Sequence, residues 1–520
     1  MRLLLAGPGT GKTTGVKGII DAEFANADRI LVLSFTNATV ADLTGSFKDH
    51  DAVACYTLHR YALKINHLID RYILDSAQEA NHLKTLASNL GVSFEWFCSQ
   101  LNCITFDAMI SDCLQFLISN PAYAKEKIGS LDLLIVDEYQ DFNPIEAQLV
   151  DAIAAYATET IILGDDDQSI YGFKDADPDG IIGLHSRDDV EKLLHENKCY
   201  RCPDAVVDAA TQLIKQNKNR IDKPWLKTDR AGICEAKQFM TQLESNEFIA
   251  STIEKERAAN PSTSFLVLNP VRYYVDQFCE LLADRKIDFV NFWSVAVEEE
   301  DYVHVWWLRA TFSKRRLLNL IFLSRECTPH YKRKLKEILG NAIQKDFDHN
   351  EIVKSIAHMY EPALVAHLDN PPSLAEFVEQ HPEFEDIVAR IDDSDLAQSL
   401  DSLLRDINPI KTFDLNSVNI MSIHKSKGLQ ADMVFINGLV NGVLPNEQKG
   451  IDSLEAQRRL LFVGITRALR NLYILSPVEW DGKYVNKVDK TQFKYSWHKK
   501  KYDARTSAFV DEMLQPPMFQ

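Results

Sequence analysis

Arg2-Leu3-Leu4-Leu5-Ala6-Gly7-Pro8-Gly9-Thr10-Gly11-Lys12-Thr13-Thr14 opens the chain, and the rest is read outward from it. Leu3 to Leu5 is a short apolar run of the kind that forms a buried parallel strand. Gly7, Gly9 and Gly11 then supply a loop whose backbone can approach a ligand closely. Lys12, Thr13 and Thr14 open a helix that continues through Val16, Ile19 and Ile20. Strand, glycine loop, Lys-Thr and helix in this order make a phosphate-binding loop, with Ala6 in place of the usual first glycine. Its backbone N–H groups and the helix N-terminus face an anion. Lys12 is placed for the β- and γ-phosphates and the Thr13 hydroxyl for Mg²⁺, which makes ATP with Mg²⁺ the expected ligand. A chance glycine turn before a helix is the alternative, and both flanks argue against it.

Composition bounds the reading. The chain has 520 residues, enough for several domains. Hydrophobic residues make up 46% and charged residues 25%, the balance of a soluble protein. No apolar run reaches membrane-spanning length, and the N-terminus reads as a strand rather than a signal peptide. The nine cysteines are scattered, and only Cys199 and Cys202 form a CxxC. Without a second pair at zinc spacing, they read as structural thiols in a reducing cytoplasm. The net charge of −18 argues against a general coat of nucleic acid. It leaves room for a local basic groove, because nearby groups set the field in a cleft.

A second apolar strand, from Ile30, ends in the polar tip Ser34-Phe35-Thr36-Asn37, and Ala38 to Phe47 follows as a helix. Strand, tip and helix in repetition is the α/β pattern that puts ligand contacts on one edge of a sheet. Tyr56-Thr57-Leu58-His59 is another such tip. Leu131 to Val136 is a buried strand followed by Asp137-Glu138-Tyr139-Gln140-Asp141. Asp137 is placed to hold Mg²⁺, and Glu138 to orient and deprotonate water. A helix cap with a surface charge is the plainer alternative. The next strand, Thr160 to Leu163, leads into Gly164-Asp-Asp-Asp-Gln-Ser-Ile-Tyr-Gly-Phe-Lys174.

At this point the chain resembles one family. The P-loop, Asp-Glu-Tyr-Gln-Asp and Gly-Asp-Asp-Asp-Gln-Ser-Ile-Tyr-Gly-Phe, in that order, are similar to superfamily 1 DNA helicases of the UvrD/Rep/PcrA type. Tyr200-Arg201 resembles the family's Tyr-Arg motif, Val418 to Leu429 its fifth motif, and Gln457 to Ala468 its sixth. The resemblance implies two RecA-like α/β domains with parallel sheets around a cleft, each carrying a mostly helical insertion. The expected division is 1–60 with 104–185, and 186–293 with 412–520; the insertions are 61–103 and a reduced 294–411. Leu193 to Lys218 reads as a helix around Tyr200 and Arg201.

By resemblance, Lys12, Glu138, Gln168, Arg201 and Arg467 are catalytic, with Gln168 sensing the γ-phosphate and Arg467 as arginine finger. Ala6 to Thr14, Tyr200 and Gln430 contact nucleotide, Gln430 standing where the family usually has Glu. Phe35, Thr36, Asn37, His59, Tyr171, Phe173, Lys174 and His424 contact DNA, with Lys425 near them or the cleft. Core packing is the competing account of Phe173. A basic stretch (Lys314, Arg315, Arg316, Arg325, Lys332, Arg333, Lys334, Lys336) is either a duplex contact or a solvated helix face. Lys494 to Tyr502 adds a weaker mixture of Lys and aromatics. The family's base-reading Gln lies upstream of the P-loop; with the first strand at Arg2, weak discrimination among nucleotides is expected.

The activity implied is a cytoplasmic, ATP-driven 3′→5′ helicase or translocase on single-stranded DNA and its junctions, serving repair, recombination or anti-phage defence. Two rivals are a DNA-sensing ATPase that recruits a partner nuclease, and a small-molecule P-loop kinase. The kinase has no use for Gln-Ser-Ile-Tyr or for two distant arginines.

Overall fold

The computed structural model describes residues 1–66, 71–74, 77–293, 299–313, 315–324, 328–345, 347–360, 367, 371–391, 396, 400, 411–449, 451–485, 488–498 and 500–514. The chain divides into two compact units. One comprises Met1–Ile65, Ile110–Ser294 and Thr412–Gln520; the other comprises Asn66–Met109 and Val295–Lys411.

Two six-stranded parallel sheets organise the first unit. The first sheet runs in the order Val53–Thr57, Ile30–Ser34, Leu131–Val136, Ala157–Gly164, Arg2–Leu5 and Glu191–Lys192. The P-loop strand thus lies between two neighbours, with Leu3 opposite Ile162 on one side and Lys192 on the other. Its central strands are apolar along their length because helices cover both faces of a parallel sheet. Leu4, Ile30, Val32, Leu133, Ile135, Ile161 and Leu163 pack with Val16 and Ile20 of the helix Lys12–Glu23.

The second sheet runs Phe289–Asn291, Val418–Met421, Phe265–Leu268, Ala431–Asn437, Ala468–Pro477 and Ile233–Phe239. One of its faces packs on the helices Asp204–Ile214 and Ile451–Ile465, the other on Gln242–Ala259 and Val275–Asp284. Burying one Leu or Phe in such cores contributes about 1.5–3 kcal/mol. A three-stranded antiparallel sheet, Glu479–Trp480, Lys501–Asp503 and Lys494–Ser496, follows near the C-terminus. Trp497, just past its last strand, is 82% exposed.

Three expectations are corrected here. The first sheet extends to Lys192, past the boundary expected at 185, because Glu191 N donates to Met1 O and Leu193 N to Leu3 O. Residues 193–203 are not helical; the helix is Asp204–Ile214, and Pro203 precedes it in extended conformation. Proline disfavours helical backbone at the residue before it, which leaves Tyr200 and Arg201 on a loop. The insertions, expected at 61–103 and 294–411, cluster as one unit of Asn66–Met109 with Val295–Lys411, and the helix Leu58–Ile65 stays with the first unit.

Among the described residues the second unit has two hydrophobic clusters, one around Val305, Leu308 and Phe377 and a larger one that joins the two inserted segments. Leu83, Leu86 and Phe97 from one inserted segment pack with Trp306, Leu320, Phe322, Leu339 and Ile356 from the other. The helix Arg316–Leu323 is buried at every position from Leu317 to Leu323, as an apolar helix at the centre of a bundle must be. Lys332, Arg333, Lys334 and Lys336 are exposed on the helix Pro329–Ile343. Lys314 and Arg325 lie outside the described residues. Among the described residues, no helix is long and apolar enough to cross a membrane.

Candidate active site and nucleic-acid interface

The P-loop leaves the sheet at Ala6, whose N–H donates to Gly164 O at 3.1 Å. Gly9 and Gly11 adopt φ of 69° and 81°, the left-handed region that glycine enters without strain. Gly9 has a second reason to lack a side chain: a Cβ there would sit 2.4 Å from Cβ of Arg201. The helix Lys12–Glu23 has no side-chain cap, so its first N–H groups are left for a ligand. Lys12 Nζ donates to Ala6 O and Gly7 O, at 2.9 and 3.2 Å.

Pro8 to Thr14 line one cleft together with Asp137, Glu138, Gln168, Arg201 and Arg467. The five residues expected to be catalytic are therefore brought together from both sheets. Ala6 lies wholly buried beneath the loop. Tyr200 stands beside the cleft, 57% exposed, with its N–H bonded to Gly9 O at 2.8 Å. Gln430 is exposed and absent from the lining; Gly428 takes that side. Thr39, Asp42 and Leu43 of the helix Asn37–Ser46 complete the wall.

Asp137 and Glu138 leave the end of the strand Leu131–Val136, and Glu138 adopts φ 56°, ψ 39°. A non-glycine residue there stores about 1–3 kcal/mol, held by its surroundings. Gln140 Nε2 donates to Glu138 Oε2 at 2.5 Å. Burial, then the neighbouring Glu138, pushes the Asp137 carboxyl up. Burial works the same way on Glu138, but Lys427 and Lys12 outweigh it and hold Glu138 below its ordinary value. Asp137 is thus a buried carboxylate short of positive charge, and Thr13 with its hydroxyl lines the same cleft. That oxygen donor set fits a divalent cation such as Mg²⁺.

On the opposite wall, Arg467 is almost fully buried, and its Nη2 lies 3.3 Å from Gln168 Oε1. Burial, then the charge of Arg201, pushes its guanidinium below the ordinary value. Two arginines crowded together in this way favour a polyanion between the walls.

Lys427 went unassigned from sequence, yet it is the cation at the centre of the site. Its Nζ pairs with Asp141, lies 3.5 Å from Glu138 and donates to Gln168 O at 2.8 Å. It also stands 5.6 Å from the ring centre of Tyr171. His-Lys-Ser-Lys-Gly offers two lysines, and nothing local separates them. Lys425 turns outward to Phe292 O at 2.6 Å.

Tyr171 begins a row of aromatic rings. Phe35 and Tyr171 are 4.8 Å apart, Tyr171 and Phe173 5.8 Å, and Phe173 and His424 5.7 Å. Lys174 Nζ lies 5.2 Å from the ring of Phe35. The row reaches from the first sheet's loops to the second's, and Phe173 is 69% exposed, which rules out core packing. Thr36 caps the helix that Asn37 begins, accepting from Thr39 N. His59 Nε2 lies 3.4 Å from Glu146. Cys199 and Cys202 are buried and unbridged.

A phosphate-binding loop, paired carboxylates and two arginines between parallel α/β sheets define a P-loop nucleoside triphosphatase of two RecA-like domains. Residues 1–174 match the family model described as an AAA domain, and residues 328–478 that of the UvrD-like helicase C-terminal domain. The two matches support the resemblance to UvrD/PcrA-type superfamily 1 helicases. It is 24% identical to "DNA helicase II" of Rickettsia typhi, covering 91% of this chain and 89% of that protein. It is 25% identical to "Putative ATP-dependent DNA helicase YjcD" of Bacillus subtilis (strain 168), over 74% of this chain and 56% of that one. It is 24% identical to "ATP-dependent DNA helicase PcrA" of Leuconostoc citreum, over 71% and 57%. The chain thus spans little more than half the length of the latter two relatives.

Proposed function

We propose that this protein is an ATP-driven DNA helicase and translocase that moves 3′→5′ along single-stranded DNA. One observation carries the reading. The Lys427 ammonium lies beside Glu138 and Asp141 and also faces the ring of Tyr171, so one buried cation joins the hydrolytic carboxylates to the aromatic row. The names of the relatives support the same activity.

In this reading the triphosphate lies on the P-loop N–H groups and Lys12, with its base against Tyr200. Glu138 takes a proton from the attacking water as the water oxygen bonds to the γ-phosphorus. The bond to the β-γ bridging oxygen breaks, leaving ADP and phosphate. Mg²⁺, held by Thr13 and Asp137, would neutralise charge on the phosphate oxygens. Arg201 and Arg467 meet the charge that develops in the transition state. Such a finger is worth about 10³–10⁵ in rate. Gln168 binds Arg467 and is gripped by Lys427, so loss of the γ-phosphate is felt on both sides of the cleft. Bases stacked on Phe35, Tyr171 and Phe173 would hold the strand between steps, at about 1–3 kcal/mol per base.

ATP hydrolysis measured with and without single-stranded DNA tests the reading, followed by displacement of a strand from duplexes with a 3′ or a 5′ tail. Stimulated hydrolysis with displacement from the 3′-tailed duplex is expected. Hydrolysis indifferent to DNA would sink it.

A further inference from the structure

Asp165, Asp166 and Asp167 follow one another at the end of the strand Ala157–Gly164, all buried, with one oxygen from each within 4.8 Å of the others. Three carboxylates so close repel unless a cation stands among them. Here the cation is a side chain. Lys223 Nζ lies 3.0, 2.6 and 2.7 Å from Asp165, Asp166 and Asp167. Arg220 adds a two-point grip on Asp167, Nε to Oδ1 at 2.9 Å and Nη2 to Oδ2 at 2.8 Å. Ile221 N donates to Asp166 Oδ2 at 2.7 Å.

The other Asp165 oxygen, Oδ2, accepts from Gln168 Nε2 at 2.6 Å. Gln168 in turn offers Oε1 to Arg467. Lys223 therefore reaches the cleft through a single carboxylate. The segment carrying Lys223 is tied at its other end to the helix Ile451–Ile465, which leads directly into Arg467. Lys218 N and Asn219 N donate to the Glu455 carboxylate at 2.7 and 3.2 Å, and Arg459 donates to Asn219 O. One short segment thus grips both the turn that holds Gln168 and the helix behind the arginine finger.

We infer that Lys223, seconded by Arg220, is a positioning residue for hydrolysis: it fixes Asp165 so that Gln168 faces the γ-phosphate when Arg467 arrives. Lys223 is not among the residues that line the cleft with Lys12, Glu138 and Arg467, so a positioning role predicts an effect on turnover rather than on binding. The inference rests on the ATPase reading above.

The test is a double-mutant cycle in the full-length chain. Lys223→Met should lower DNA-stimulated kcat about 10–100-fold while affinity for a fluorescent ATP analogue changes by less than about threefold. Lys223→Arg should recover most of the loss. In a Gln168→Ala background, Lys223→Met should cost less than about twofold more, because both changes remove the same contact. Asp165→Asn, of nearly the same shape, gives the same cycle if Lys223→Met fails to fold. Equal losses from Lys223→Met in the two backgrounds, or an unchanged kcat, would overturn the positioning role alone. A parent chain that hydrolyses no ATP would overturn the functional reading and this inference with it.

Discussion

Glu138 holds a left-handed backbone conformation without being glycine, and Gln140 and Lys427 grip its carboxylate. A side chain held this firmly suits a base that must meet water at one angle. Glu138→Gln should lower steady-state ATP turnover by about 10²–10⁴, the usual range for a general base, and leave binding of a fluorescent nucleotide nearly intact. Turnover near the parent rate would remove Glu138 from that role. At this scale the sequence was most legible where chemistry follows its strand at once. Lys12, Thr13, Asp137 and Glu138 each sit within a few residues of the strand that presents them. Lys427 and Lys223 were silent because their importance comes from burial beside carboxylates far away in the chain. No local pattern distinguishes such a lysine from a surface one.

Among elements, the aromatic row depends on three loops meeting. Phe35 comes from the tip after the strand Ile30–Ser34, Tyr171 and Phe173 from the turn after Ala157–Gly164, and His424 from the turn after Val418–Met421. Phe173 is mostly exposed, so Phe173→Ala should leave thermal stability within about 0.5 kcal/mol of the parent. Strand displacement should fall much further than ATP turnover, because stacking couples one to the other. An unfolding curve and the two rates measured on one preparation check this; equal loss of both rates would argue against a grip. The strand-and-tip pattern made these loops readable from sequence. The failed helix over 193–218 shows the converse. Its apolar spacing holds from Val206 to Ile214, but Pro203 and the pairing of Glu191 with the first sheet claim the residues before it.

For the molecule as a whole, two parallel sheets could be read from strand and helix alternation, while the partnership of the two insertions could not. That partnership is a matter of which apolar faces meet, and residues 66–109 and 295–411 carry no shared pattern. The core they form gives a direct expectation. Leu320 is fully buried at its centre, so Leu320→Ala should destabilise the second unit by about 2–5 kcal/mol. Hydrogen exchange should quicken together in the helices Ala77–Leu90 and His349–Tyr360, which belong to different segments of the chain. Faster exchange in only one of them would mean separate cores.

That shared core also sets a timetable for the protein's birth. Residues 66–109 leave the ribosome first, and the whole stretch 110–294 must be made before their packing partner emerges. At about 5–20 residues per second the wait is roughly 10–40 s. So short a segment has little prospect of a stable core alone, and Leu83, Leu86 and Phe97 stay without their mates for that time. Nascent chains stalled before Val295 should be cut by protease within Ala77–Leu90, and chains extended past Lys411 should resist. The first insertion is in effect synthesised on credit, an adhesive surface that a chaperone or a transient fold must shelter until translation delivers the second.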